Sequence, residues 1–245
     1  MRRLILAGLL LGFATSAFAT DDIDVQNLVQ QQFSDLSQDM GAVLSYKPLQ
    51  GAAPEGITGF DVSFGLSATK VAHADAWNAA TGNNDISNIP FANLRVSKGL
   101  PFGIDIGGEY STVPGSNIKL YGLEGRYALL EGGVATPAIS LRAAFTHVTG
   151  VDNLSFNTKS LGVAISKGFG PLTPYAGIGE VWTKSTPGGS VACSSGATPP
   201  CLNAVSFNKP EVYVGLQFHF GIHLALEADR MAGNTTYNLK LGFGF

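Results

Sequence analysis

Charge is scarce in this 245-residue chain: Asp, Glu, Lys and Arg together make up 13% of it, against 45% hydrophobic residues. An ordinary soluble domain carries about 25% charge, so composition argues against a surface that faces water on all sides. Long apolar runs are also missing. Beyond the N-terminus no stretch approaches the ~18 uninterrupted apolar residues of a membrane-spanning helix, which excludes a helical inner-membrane topology. Cysteine is limited to Cys193 and Cys201, set in a Ser/Gly/Pro-rich stretch with no His and no further Cys beside them. A thiolate metal site would lack ligands there; in an oxidising compartment the pair reads as one local disulfide. Basic residues are too few for a nucleic-acid footprint. Without Arg2 and Arg3, the 15 Lys and Arg become 13 against 18 Asp and Glu, a net charge of −5, and no basic patch marks a nucleic-acid partner. The Gly-rich stretches 103–108 and 162–170 are strand glycines without the strand-turn-helix setting of a phosphate loop, so no cofactor is expected.

What is present begins with an export signal. Arg2 and Arg3 precede the apolar run Leu4 to Phe13, and Ala17-Phe18-Ala19 forms a small-x-small site. Residues 1–19 therefore read as a signal peptide for Sec-type export, cleaved after Ala19. The mature chain does not start with Cys, which argues against a lipoprotein. At the other end, Tyr237, Leu239, Leu241, Phe243 and the terminal Phe245 share one face of a period-2 stretch, and Asn238, Lys240, Gly242 and Gly244 share the other. A final strand ending on an aromatic suits the closing strand of a transmembrane β-barrel. It resembles the C-terminal assembly signal of Gram-negative outer-membrane barrels, which implies barrel-assembly machinery and periplasmic chaperones as partners, with outer-membrane lipid and lipopolysaccharide as surroundings.

Between the ends the pattern changes once. From Asp21 to Tyr46, Val25, Leu28, Val29, Phe33, Leu36, Met40, Val43 and Leu44 recur at helical spacing, and acidic residues at the start complement the helix dipole. Residues 20–56 are thus expected to form a periplasmic amphipathic helix and linker, with the helix plugging or capping the periplasmic mouth as the favoured placement, ahead of lying on the inner leaflet of the outer membrane or binding a periplasmic partner. Residues 57–245 are expected to form an all-β, antiparallel up-and-down transmembrane barrel of about ten strands. The strands fall at 57–71, 88–98, 102–113, 117–130, 137–149, 154–168, 172–186, 204–219, 221–231 and 235–245, most of them longer than the ~9–11 residues a tilted strand needs to cross a bilayer. Connectors alternate between tight turns near residues 98–101, 131–133, 168–171 and 221, and a second series that includes the longest loops. The first set belongs on the periplasmic side if Phe245 does, and the longer loops then face outward.

Alternation also sorts the charges. Asp105, Glu109, Glu124, Arg126, Arg142, Glu180, Glu227, Asp229 and Lys240 fall on the face opposite the lipid-facing residues and are expected to line the lumen, as are Lys184, Glu211 and Gln217. Tyr127, Tyr175 and Phe220 are expected in the inner aromatic girdle. A ten-stranded barrel has a narrow interior, so paired charges there serve either a hydrogen-bonded core or a small pore.

Candidates for catalysis are thin. Omptin-type proteases set acidic residues and a His-Asp pair at the extracellular rim; here His73 with Asp75 and His147 with Thr149 lack the matching acids. Barrel lipid hydrolases use a His-x-Ser arrangement, from which His147-x-Thr149 departs. His219 and His223 flank a turn. No catalytic, metal or cofactor residues are assigned.

The runs Lys98-Gly-Leu-Pro-Phe-Gly-Ile-Asp-Ile-Gly107, Val113-Pro-Gly-Ser-Asn-Ile-Lys-Leu-Tyr-Gly122, Tyr127-Ala-Leu-Leu-Glu-Gly-Gly-Val-Ala-Thr-Pro137 and Thr173-Pro-Tyr-Ala-Gly177 resemble an uncharacterised proteobacterial family of outer-membrane β-barrels. The resemblance implies fold and location and brings no activity. The sequence thus points to an integral, porin-like outer-membrane barrel with a structural or surface role. A passive small-solute channel is the first alternative and a barrel hydrolase the second.

Overall fold

The alternating stretches become ten antiparallel strands. A computed structural model describes residues 23–83, 86–193 and 201–244; the signal segment and Phe245 lie outside these. The strands are β1 (Phe60–Lys70), β2 (Asn88–Leu100), β3 (Ile104–Thr112), β4 (Lys119–Leu130), β5 (Ala138–Thr149), β6 (Leu154–Ser166), β7 (Leu172–Pro187), β8 (Val205–His219), β9 (His223–Met231) and β10 (Asn234–Gly244). Each pairs with its sequence neighbour, and β1 pairs with β10, so the sheet closes without an edge. Closure satisfies every strand's backbone within the wall, which a bilayer requires. The exterior carries the apolar half of the alternation: Val62, Leu94, Ile106, Leu123, Val163, Val214 and Leu226 are all exposed. Tyr237, Leu241 and Phe243 of the closing strand join them, and Leu239 is partly exposed on the same face. The short connectors (101–103, 131–137, 167–171 and 220–222) gather at one end, the turn end. The described parts of the long ones (71–83 and 86–87, then 188–193 and 201–204) lie at the other, the loop end, with the disulfide Cys193–Cys201 in the latter. A helix α2 (Ala74–Thr81) is folded into the first loop and ends on Gly82 in the left-handed conformation, as glycine C-caps do.

The N-terminal segment departs from expectation in extent and in place. Its helix, α1, covers only Gln30–Leu44. Upstream, the Asp24 carboxylate accepts from the Gln26 N–H at 2.8 Å, an Asx turn that competes with helix, and the Asp24 N–H donates to the Ala80 carbonyl of α2. The helix does not cap the mouth where β1 starts. It lies inside the barrel at the loop end: Phe33, Leu36, Met40 and Val43 pack in one cluster with Trp77 of α2 and with Phe91, Leu120, Val148 and Phe156 of the wall, under Val191 and Leu202 of the disulfide loop. Each large apolar side chain fully buried there is worth roughly 1.5–3 kcal/mol. Residues 45–56, which include the stretch 47–56 expected as a linker, run extended down the lumen from the loop end to the turn end.

This placement explains two errors of the alternation reading. Glu180 and Lys184 point outward, not into the lumen, because the inward positions of β7 are Val181, Thr183 and Ser185, and these meet the helix. Val181 packs with Ala42 of α1, and Ser185 Oγ bonds Ser37 Oγ at 2.9 Å. Around the helix, the inward positions of β7 are thus taken by small or apolar residues that pack on α1, and its charges are turned outward. Tyr175 is likewise not in the exterior girdle. It is buried inside, donating to Glu227 Oε2 at 3.0 Å.

Candidate functional site: an occupied lumen

An extended segment has no sheet partners of its own, so its backbone groups need side-chain partners once buried. The wall supplies them from charged and neutral polar side chains. Acids and other acceptors take the N–H groups. The Leu49 N–H donates to Glu227 Oε2 at 2.8 Å, Gly51 to Gln217 Oε1 at 3.0 Å, Ala52 to Ser166 Oγ at 2.9 Å and Glu55 to Asp105 Oδ1 at 3.0 Å. Donors take the carbonyls. Thr146 Oγ1 donates to the Leu44 carbonyl at 3.0 Å, Arg95 to Pro48 at 3.3 Å, Arg126 to Gly51 at 2.9 Å, and Arg142 to Tyr46. The lumen charges thus hold a threaded strap.

The remaining charges pair with one another or with the strap. Arg95 pairs with Glu109, Arg142 with Glu124, and Arg126 with Asp105 at 2.9 Å. Lys47 of the strap is 1% exposed and reaches Asp229 Oδ1 at 2.9 Å, with Glu211 at 3.9 Å and the Ala42 carbonyl at 2.7 Å. The last contact also satisfies a carbonyl in the final turn of α1. Tyr46 lies between two guanidinium groups, 4.5 Å from Arg95 and 5.4 Å from Arg142, a cation–π arrangement strengthened by desolvation. The wall makes room for the ring with glycine: a Cβ on Gly122 would come within 2.7 Å of it.

Asp105, Glu109, Glu124, Arg126, Arg142, Glu227, Asp229 and Lys240 are all inward and buried, as the alternation predicts; Glu180 alone of that set is outside. Sequence reasoning missed Tyr46, Lys47 and the backbone of 49–55. A signal was available: the buried wall acids Asp61, Asp105, Glu109, Glu124, Glu211, Glu227 and Asp229 outnumber the buried wall bases Arg95, Arg126, Arg142 and Lys240, so the wall alone cannot balance its charge.

Below the strap, at the turn end, a cavity of about 290 Å³ is lined by Gln50, Glu55, Asp61, Arg126, His219, His223 and Lys240, among others. Asp61 bridges His223 Nδ1 at 2.7 Å and Lys240 Nζ at 2.8 Å, and the rings of His219 and His223 meet edge to face. Burial raises the Glu55 carboxyl above its ordinary value, against the lowering effects of the Ser97 hydroxyl and Arg126. The other histidines are structural in setting. His73 bonds Asp39 of α1 twice, through its N–H and Nδ1, both at 2.8 Å. His147 bonds Asn157 on the outside of the barrel at 2.6 Å, while Thr149 faces Lys119 across the sheet. No group of three His, Cys, Asp or Glu placed to hold a metal occurs among the described residues.

A closed, even-stranded antiparallel barrel with an apolar exterior belt is an integral β-barrel of the outer-membrane class, located in the Gram-negative outer membrane. No family model and no curated protein matches the chain. Among solved structures it is similar to the N-terminal β-barrel domain of Pseudomonas aeruginosa OprF (13% identity, 78% of this chain and 99% of that one, TM-score 0.35). It is also similar to the KdgM porin (9%, 76% and 99%, TM-score 0.38) and to the outer-membrane protease OmpT from Escherichia coli (10%, 76% and 96%, TM-score 0.35). These likenesses are distant in sequence and in superposition, and their differing roles assign none to this chain.

Proposed function

We propose that this protein is a self-plugged outer-membrane barrel with a structural or surface role, which neither passes small solutes nor catalyses a reaction. The observation that carries this reading is the strap: residues 45–56 occupy the lumen, and charged and polar wall side chains bond its backbone along its length. A channel would leave such groups to water and ions. The histidines support the absence of catalysis, because His73 and His147 are engaged with Asp39 and Asn157 and none faces a nucleophile held for attack. Export by a cleaved signal, chaperoning in the periplasm and insertion by the barrel-assembly machinery through the terminal strand complete the reading.

Planar-bilayer conductance of the refolded mature protein tests it. The full-length protein is expected to be silent, and steady ohmic conductance would replace the plugged barrel with the passive channel. Turnover of ester or peptide substrates by the same preparation would favour the hydrolase.

A further inference from the structure

The outward face of β4–β8 carries charge where a lipid-facing surface should have none. Strand register sets its side chains in rows. One row reads Tyr121, His147, Asn157, Lys184; the next toward the turn end reads Leu123, Phe145, Lys159, Trp182; the next reads Gly125, Ala143, Leu161, Glu180. Lys119 stands one row above the first, opposite Thr149. Lys119, Lys159 and Lys184 are exposed and make no hydrogen bond or ion pair with any described residue. Glu180, the one acid on this face, is bonded by Asn208 Nδ2. Lysines lying across a belt of Leu, Phe and Trp are unfavourable unless an anion meets them.

Directly beneath Lys159 the wall is thin. Gly125 and Ala143 sit between Leu123 and Phe145 on one side and Tyr127 and Leu141 on the other, leaving an open apolar trough of about 550 Å³ that reaches Leu161. A second trough, about 500 Å³, begins on the far side of Leu161, between Val163, Ile178 and Val212. Two apolar troughs side by side, headed by several unpartnered cations with Phe145 and Trp182 on either side of Lys159, match an amphiphile with more than one acyl chain and more than one phosphate.

We propose that this face is a docking site for lipopolysaccharide. Acyl chains would lie in the two troughs, and the lipid's phosphates would meet Lys159 and Lys184, with Lys119 flanking. The site is at the loop end of the barrel, which places it at the outer leaflet. Charge complementarity favours this lipid over a zwitterionic phospholipid. The site does not depend on whether the lumen conducts.

Native mass spectrometry of the refolded full chain, incubated with Kdo2-lipid A or with phosphatidylglycerol, tests the assignment. Changing both Lys159→Gln and Lys184→Gln is expected to lower Kdo2-lipid A retention by about tenfold. Ala143→Leu, which fills the trough without altering charge, is expected to lower it as well. Lys70→Gln with Arg230→Gln, exposed cations at the loop ends of β1 and β9, is the control and is expected to leave retention unchanged. All these positions face outward, and heat-modifiable gel mobility reports that each variant is folded. Equal loss in the control, unchanged retention in the first two variants, or retention of phosphatidylglycerol equal to that of Kdo2-lipid A would overturn the site.

Discussion

Lys47 shows how a residue in an unremarkable Pro/Gly/Ala-rich stretch can control an interior. Its ammonium is buried against Asp229, which also accepts from Asn238 Nδ2 at 2.9 Å. Removing one member of a buried pair strands the other charge. Lys47→Met is therefore expected to destabilise the protein by about 3 kcal/mol, read as a lower urea midpoint in detergent micelles. Adding Asp229→Leu should recover most of the loss, because both charges then leave together. If the single change is neutral, the pair contributes nothing to holding the strap.

Glu55 gives the strap a pH dependence at its other end. Its carboxyl faces Ser97 and Arg126, with Asp105 and Asp61 as nearby acids, and burial raises its pKa above the ordinary value of 4.5. A carboxyl raised on folding binds its proton more tightly in the folded state, so stability is highest below the unfolded value and declines as pH rises through the raised one. Glu55→Gln keeps the contact with Ser97 and should flatten this decline. Urea midpoints of the two proteins are expected to converge near pH 4 and separate toward pH 7, with the variant the more stable; parallel curves would rule Glu55 out as the source.

At the scale of elements, the path of the N-terminal segment is the least expected result. Residues Ile23 to Leu28 lie among the loops, with the Asp24 N–H on the Ala80 carbonyl and the Gln30 side chain exchanging hydrogen bonds with Asn203. An epitope placed just ahead of Ile23 is thus expected to bind antibody on intact cells, and one placed in the 131–137 turn to bind only after the outer membrane is opened. Protection of the first epitope would place the helix at the opposite end. The ten strands were legible because lipid outside and polar groups inside enforce alternation wherever both conditions hold. Helical spacing likewise revealed an apolar face on α1, but periodicity says only that such a face needs cover, not what covers it. Glu180 and Lys184 were misread for the same reason: once the helix fills the loop end, Val181, Thr183 and Ser185 face inward to meet it, and the charges of this stretch turn outward.

For the whole molecule, closure joins the two ends of the strand order, β1 and β10, with Asp61 opposite Gly244 and Lys70 opposite Thr235. The closing strand presents Tyr237, Leu241 and Phe243 to lipid, and the sequence continues that face to Phe245. Phe245→Asp is expected to cut the folded outer-membrane population sharply, seen as loss of heat-modifiable mobility and degradation in the periplasm. Normal folded levels would show that the terminal aromatic is dispensable for assembly.

The strap passes through a ring that has no gap, and this gives the molecule a mechanical direction. Its far end is tied to β1 through the turn around Gly56 and Gly59, where Lys98 Nζ bonds the Gly59 carbonyl at 2.9 Å; its near end carries a helix wedged under the loops. Once β1 has met β10 the segment can move only lengthwise, along the lumen. A load applied from the loop side pulls the strap taut against its own first strand. A load from the turn side must instead drag α1, with Phe33, Leu36 and Met40, down past Arg95, Arg142 and Arg126. The plug is anchored against both directions by different means, by a covalent tether in one and by the bulk of a helix in the other.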